Sequence, residues 1–272
     1  LTYYNYAGDV RRTTNSPNSL YKSQYKEYHD LLEATVNYSF NLEEKHNFNI
    51  LAGTSYENYR MNQIEGTANN MISNDFFSFN YYDTSNATNS ILADNIETWA
   101  MMSYFGRINY NFKERYLLEA NVRYDGSSRL APSHRWKAFP SVSAAWRINE
   151  EKWFNINWVS NLRFRLSWGQ LGNGAVLGLY DYILLISYSQ KDTPASYLGE
   201  KWLYQNSMAS EEKTWETVET TNIGLDFGFL NNRLTGSFEY YWKFNNDMLS
   251  ALQLPHQIGI NVPNMNVGKL KT

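Results

Sequence analysis

Residues 116–125 read Tyr-Leu-Leu-Glu-Ala-Asn-Val-Arg-Tyr-Asp, and this stretch decides the fold. Tyr116, Leu118, Ala120, Val122 and Tyr124 share one parity, while Glu119, Asn121, Arg123 and Asp125 share the other. A strand sends successive side chains to opposite faces, so the segment has one apolar and one polar face. About ten residues is also the length a tilted strand needs to cross a bilayer.

The same period recurs along the chain and predicts eight strands. Leu32, Ala34, Val36, Tyr38 and Phe40 oppose Glu33, Thr35, Asn37, Ser39 and Asn41. Phe48, Ile50, Ala52 and Tyr56 oppose Asn49, Gly53, Ser55 and Glu57, with Leu51 the one break. Met102, Tyr104, Ile108, Tyr110 and Phe112 oppose Ser103, Arg107, Asn109 and Asn111. Downstream come Phe139–Ile148, then Leu162 to Trp168 with Arg163 and Arg165 behind. A last hairpin turns through Leu230 to Arg233, placing Leu225, Phe227, Phe238, Tyr240 and Trp242 on one side and Asp226 and Glu239 on the other. Symmetric pairing about Lys113 and Glu114 predicts Arg107 opposite Glu119 and Ile108 opposite Leu118.

Alternation alone also fits a soluble sandwich. The connections separate the two cases. Brief turns at 41–46, 112–115 and 229–234 and a medium one at 149–161 alternate with long segments at 59–97, 126–138, 172–215 and 244–266. All the long ones fall at one end, as in outer-membrane barrels, whereas soluble domains rarely carry structureless loops of this size. Aromatics gather at both ends of the apolar face: Tyr38, Phe40, Phe48, Tyr110, Phe112, Tyr116 and Trp146 at the short turns, and Tyr28, Tyr56, Tyr124, Trp168 and Trp242 at the long loops. Membrane interfaces select such girdles, because an amphipathic ring sits best at headgroup depth. The apolar run Tyr180 to Tyr188 reads as a strand extension above the membrane.

Composition agrees. The 272 residues include 22 Tyr, 14 Phe and 9 Trp, yet mean hydropathy is −0.57, so apolar and polar residues are interleaved. No stretch approaches the roughly 20 apolar residues of a membrane-spanning helix. A net charge of −3 with scattered basic residues excludes an electrostatic footprint for nucleic acid. The absence of cysteine removes disulfides, thiolate metal sites and cysteine nucleophiles. His29, His46, His134 and His256 lack metal-ligand spacing, and the pairs Glu43/Glu44, Glu150/Glu151 and Glu211/Glu212 fall in connections. The sequence therefore points to no enzyme, no metal and no cofactor. Gly169, Gly172 and Gly174 lack dinucleotide-loop spacing and are expected to relax a strand end.

The run Tyr124-Asp-Gly-Ser-Ser-Arg129, followed by Phe139-Pro-Ser-Val-Ser-Ala-Ala-Trp-Arg-Ile148 and Glu151, resembles the barrel signature of SusC/RagA-family TonB-linked outer-membrane transporters. Ser103–Tyr110, Ser167–Asn173, Trp215-Glu216 and Asn222–Gly228 resemble further family stretches in the same order. The resemblance covers roughly residues 30–270 and implies an all-β, antiparallel transmembrane β-barrel of about 22 strands with a plugged lumen. Residues 1–272 would then be a partial barrel domain, with plug, TonB box and remaining strands outside it. It further implies the Gram-negative outer membrane, contact with its lipid, a SusD-like surface lipoprotein as lid, TonB as energy source, and an oligosaccharide or peptide cargo too large for passive porins. The alternatives are a passive porin and a soluble sugar-binding β module. Tyr81, Tyr82, Tyr197, Trp202 and Tyr204, all in long loops, are the candidate contacts for cargo or lid.

Overall fold

The computed structural model describes residues 2–4, 10–12, 18–73, 75, 77–84, 90–188, 203–205, 207–251 and 262–272. Among the described residues thirteen strands run in chain order: β1 Thr2–Tyr4, β2 Val10–Arg12, β3 Ser19–Leu42, β4 His46–Asn69, β5 Ser90–Phe112, β6 Tyr116–Ser127, β7 Trp136–Arg147, β8 Val159–Asn173, β9 Ile186–Tyr188, β10 Leu203–Gln205, β11 Glu216–Phe229, β12 Leu234–Ser250 and β13 Met265–Lys271. Nine form one sheet in the order β13-β12-β11-β8-β7-β6-β5-β4-β3. Spatial order follows chain order, so the sheet is an up-and-down meander whose free edges are β3 and β13. The eight strands expected from alternation are all present, and β13 is the ninth. The remaining four form two ribbons, β1 with β2 and β9 with β10.

The expected loop 59–97 is corrected: β4 continues to Asn69 and β5 begins at Ser90, leaving 70–89 as the connection. A strand of 24 residues has more than twice the residues that a bilayer crossing uses. β12 likewise runs on to Ser250, into the stretch expected to be loop. Tyr180–Tyr188 does not extend a wall strand; only Ile186–Tyr188 is extended, and it pairs with β10. The strand expected to reach Ile148 stops at Arg147, and a 3₁₀ turn follows over Ile148–Glu150.

The chain divides into two compact units. Residues 1–30 and 58–98 form the first, which contains the distal parts of β3, β4 and β5. There the Tyr21 hydroxyl donates to Glu65 at 2.7 Å, Tyr59 donates to Glu27 at 3.1 Å, and the Asn18 side chain donates to the Met71 carbonyl at 3.1 Å. Residues 31–57 and 99–272 form the second unit, the body of the sheet.

Faces in the second unit follow the alternation. Leu32 and Val36 are each 72% exposed, and Leu118 and Val122 stand 49% and 47% exposed on the same apolar face. The β5–β6 hairpin corrects the expected register, because Arg107 pairs with Asn121 and Ile108 with Ala120, a shift of two. The turn is the reason. Phe112 pairs with Tyr116, the Arg115 N–H donates to the Phe112 carbonyl at 3.0 Å, and Lys113 and Glu114 take φ of 52° and 56°. Two central residues at positive φ make a type I′ turn, whose twist suits a hairpin. A shift of two keeps every side chain on its expected face. The Glu43/Glu44 turn between β3 and β4 repeats this geometry, with φ of 52° and 54°.

A small core closes the long-loop end of this unit. Leu130, Phe139, Leu177 and Trp215 are buried together, and the Trp215 indole N–H donates to the Arg135 carbonyl at 3.0 Å. Gly172 lies under Phe139, where a Cβ would come within 2.3 Å of the ring. Its role is therefore close approach of a ring, and β8 continues regularly past it to Asn173.

Candidate functional site

The polar face of the sheet holds the groups that could meet a solute. At its long-loop end Arg123 donates through Nε to Asp125 at 2.8 Å and through Nη2 to Ser103 at 2.9 Å, with its guanidinium 5.5 Å from the Phe105 ring centroid. The Arg129 guanidinium lies 4.3 Å from the Trp99 ring centroid. Trp99, Met101, Arg123, Asp125, Arg129 and Trp215 line a cavity of about 370 Å³. Toward the short turns a second hollow, about 490 Å³, sets amides and a hydroxyl of Asn41, Asn49, Asn109, Asn111 and Ser143 among apolar side chains such as Leu117. Further along, Arg165 bridges Asp226 at 2.8 Å and Glu239 at 2.6 Å, and Arg163 binds Asp226 at 2.7 Å. Cross-strand pairing explains the last cluster, since Asp226 is directly opposite both Arg163 and Ser237.

The opposite face ends in rings at both rims. At the short turns Tyr38 contacts Phe40, Phe40 stacks on Phe48, and Phe48 meets Tyr110. His46 continues the series: its Nδ1 lies 2.8 Å from the Tyr110 hydroxyl and its ring 4.7 Å from Phe112. Phe112, Tyr116 and Trp146 follow, at 6.1 and 6.4 Å between centroids. His46 was expected only as a turn residue. It is part of the girdle because β4 begins at His46, which brings its ring against Tyr110 and Phe112. At the other rim Trp136 lies against Tyr104 and Tyr124, and the Trp168 indole N–H donates to Glu219 at 2.8 Å. Trp136 was missed because it precedes the recognised strand by three positions, in a stretch expected to be loop.

Of the candidate contacts, Tyr81 is exposed and Tyr82 partly buried in the first unit, at the connection between β4 and β5. The Tyr81 carbonyl accepts from the Ile72 N–H at 2.9 Å, and Tyr82 forms an isolated bridge with Met71. Tyr204 is in β10 of the second unit. Tyr197 and Trp202 lie outside the described residues, as does His256. The long connection between β8 and β11 is held at its base by Lys213, 2% exposed in its side chain, which pairs with Asp181, and by the Ser210 N–H donating to the Asp181 carbonyl at 2.8 Å. Among the described residues no group of three or more His, Cys, Asp or Glu side chains could hold a metal ion.

A meandering sheet with an apolar face edged by aromatic rings, a hydrogen-bonding face behind it and its long connections at one end is the wall of an outer-membrane β-barrel. The family described as TonB dependent receptor-like, beta-barrel matches residues 1–272, and the chain belongs to it. Its members are outer-membrane transporters of Gram-negative bacteria, not enzymes. The chain is 32% identical over 240 residues, 88% of its length, to TonB-dependent receptor P26 of Formosa agariphila, and it covers 24% of that protein. It is 36% identical over 176 residues to TonB-dependent receptor SusC of Bacteroides thetaiotaomicron, covering 63% of this chain and 17% of SusC. The solved structure of the RagAB peptide transporter superposes with a TM-score of 0.82 at 27% identity, over 92% of this chain and 27% of the other. The chain thus spans about a quarter or less of these relatives' lengths. Its apolar face meets lipid and its polar face the lumen.

Proposed function

We propose that the protein containing this wall segment imports a large nutrient, an oligosaccharide or a peptide, across the outer membrane. TonB drives the import from the periplasm, and a SusD-like lipoprotein covers the mouth. The observation that carries this reading is the match of the whole chain to the TonB-dependent barrel family, together with similarity to SusC and to the RagAB peptide transporter. The long connections support it too, because Tyr81, Tyr82, Tyr197, Trp202 and Tyr204 can stack on a sugar or peptide without chemistry. A soluble sugar-binding module does not fit outer-membrane placement. A passive porin does, and energy dependence separates it from an importer.

The experiment compares uptake by the parent strain, a strain lacking TonB and a deletion of residues 182–212 in the full-length protein. That deletion keeps Asp181, Lys213 and the buried Trp215, so the barrel should assemble. Import is expected to stop without TonB and to weaken with the deletion. Unchanged uptake without TonB overturns the reading in favour of a passive porin.

A further inference from the structure

The turn between β7 and β8, residues 148–158, exposes far more apolar surface than a turn in water requires. Trp153 is 63% exposed, Trp158 58% and Ile156 43%. Two contacts join the tryptophans to rings of the apolar face. The Trp153 ring lies 6.4 Å from Trp146, the last member of the ring series described above, and the Trp158 ring lies 5.2 Å from Phe229, whose own ring stacks on apolar-face Phe227 at 5.3 Å. The neighbouring turn is tied in as well, since the Leu230 N–H donates to the Trp158 carbonyl at 2.8 Å and Leu230 is itself exposed.

Depth follows from these distances. The polar layer between hydrocarbon and water is about 5–8 Å thick on each side of a bilayer. A ring 6.4 Å from a girdle ring that stands at the hydrocarbon edge falls inside it. The charges of the turn are compatible with that layer. Glu151 accepts the Tyr116 hydroxyl at 2.5 Å and the Trp146 indole N–H at 3.0 Å, and Arg115 lies 3.6 Å away. The Tyr116 hydroxyl, then the Trp146 N–H, holds this carboxyl below the usual carboxylate range. Glu150 pairs with Arg147 at 3.2 Å, and Lys152 stands exposed, a cation suited to lipid phosphate.

We propose that residues 148–158 lie in the headgroup layer of the periplasmic leaflet as an interfacial foot, with Trp153, Ile156 and Trp158 set against lipid instead of projecting into the periplasm. A tryptophan indole is well suited to this place, with an apolar body for the acyl boundary and one N–H for headgroup or water.

The test uses the full-length transporter in liposomes and reads the emission lost in Trp153→Phe and Trp158→Phe. Lipids brominated near the headgroup are expected to quench that component at least twofold more than either deeply brominated lipids or aqueous iodide. A component quenched by iodide alone puts the turn in the periplasm and overturns the proposal. Quenching strongest with deep bromines, or protection from all three, overturns it equally. Since the segment contains no cysteine, Asn155→Cys carrying a polarity-sensitive dye gives a second reading that keeps both tryptophans. Its emission should shift to the blue on moving into liposomes from a short-chain detergent, and an unchanged water-like spectrum counts against the foot.

Discussion

Gly126 and Gly106 both face lipid from adjacent strands, yet they tolerate a methyl group differently. A Cβ on Gly126 would stand 2.5 Å from the Trp136 ring, whereas one on Gly106 would meet nothing closer than the Leu51 carbonyl oxygen at 3.7 Å. Gly126→Ala should therefore cost about 1–3 kcal/mol through displacement of the ring. Gly106→Ala should stay within about 0.5 kcal/mol of the parent. Denaturant titration of the full-length protein in detergent micelles measures both, and equal losses would refute the account. The reason for Gly126, like that for Gly172, could not be read from sequence, because the ring each one admits belongs to a different strand. The candidate contacts share that limit. Tyr81, Tyr82 and Tyr204 stand out in the sequence only by residue type and loop position, and no alternation specifies what a loop aromatic touches.

Strands within the membrane were legible almost to the residue, since lipid on one side and lumen on the other force strict alternation. Val122 and Asn121 are adjacent in β6 and face opposite ways. Arginine at a lipid midplane costs about 2–4 kcal/mol. Val122→Arg should accordingly reduce assembled barrel far more than Asn121→Arg, as judged by the heat-modifiable band on gels. Equal tolerance of the two would overturn the facing of the whole sheet. In the first unit the alternation lapses, which is why the end of β4 and the start of β5 are read from sequence as part of the loop 59–97. Tyr21, Tyr25 and Tyr28 on β3 and Ile64 on β4 are all exposed among Lys, Glu and Asn, and no single parity collects them. The hairpin register failed for a local reason. Glu43-Glu44 and Lys113-Glu114 lack the Asn-Gly signature of a type I′ turn, although their backbones adopt it.

As a whole, the segment has two free edges, β3 and β13, and an apolar face built for lipid. Residues 1–272 expressed without detergent should aggregate, because unpaired edges and a broad apolar face both recruit other chains. Size-exclusion chromatography with light scattering tests this, and a monodisperse detergent-free monomer would contradict the barrel-wall reading. The meander also fixes an order of events. Only a three-residue turn separates β3 from β4 and β5 from β6, so those pairs zip with little loss of chain entropy. Between Asn173 at the end of β8 and Glu216 at the start of β11 runs the longest excursion joining two paired wall strands. Closing it costs about 2 kcal/mol more than a three-residue turn by loop-length scaling alone. Docking of β11 on β8 is thus the natural kinetic bottleneck within this stretch, dividing it into an early block, β3 to β8, and a late one, β11 to β13.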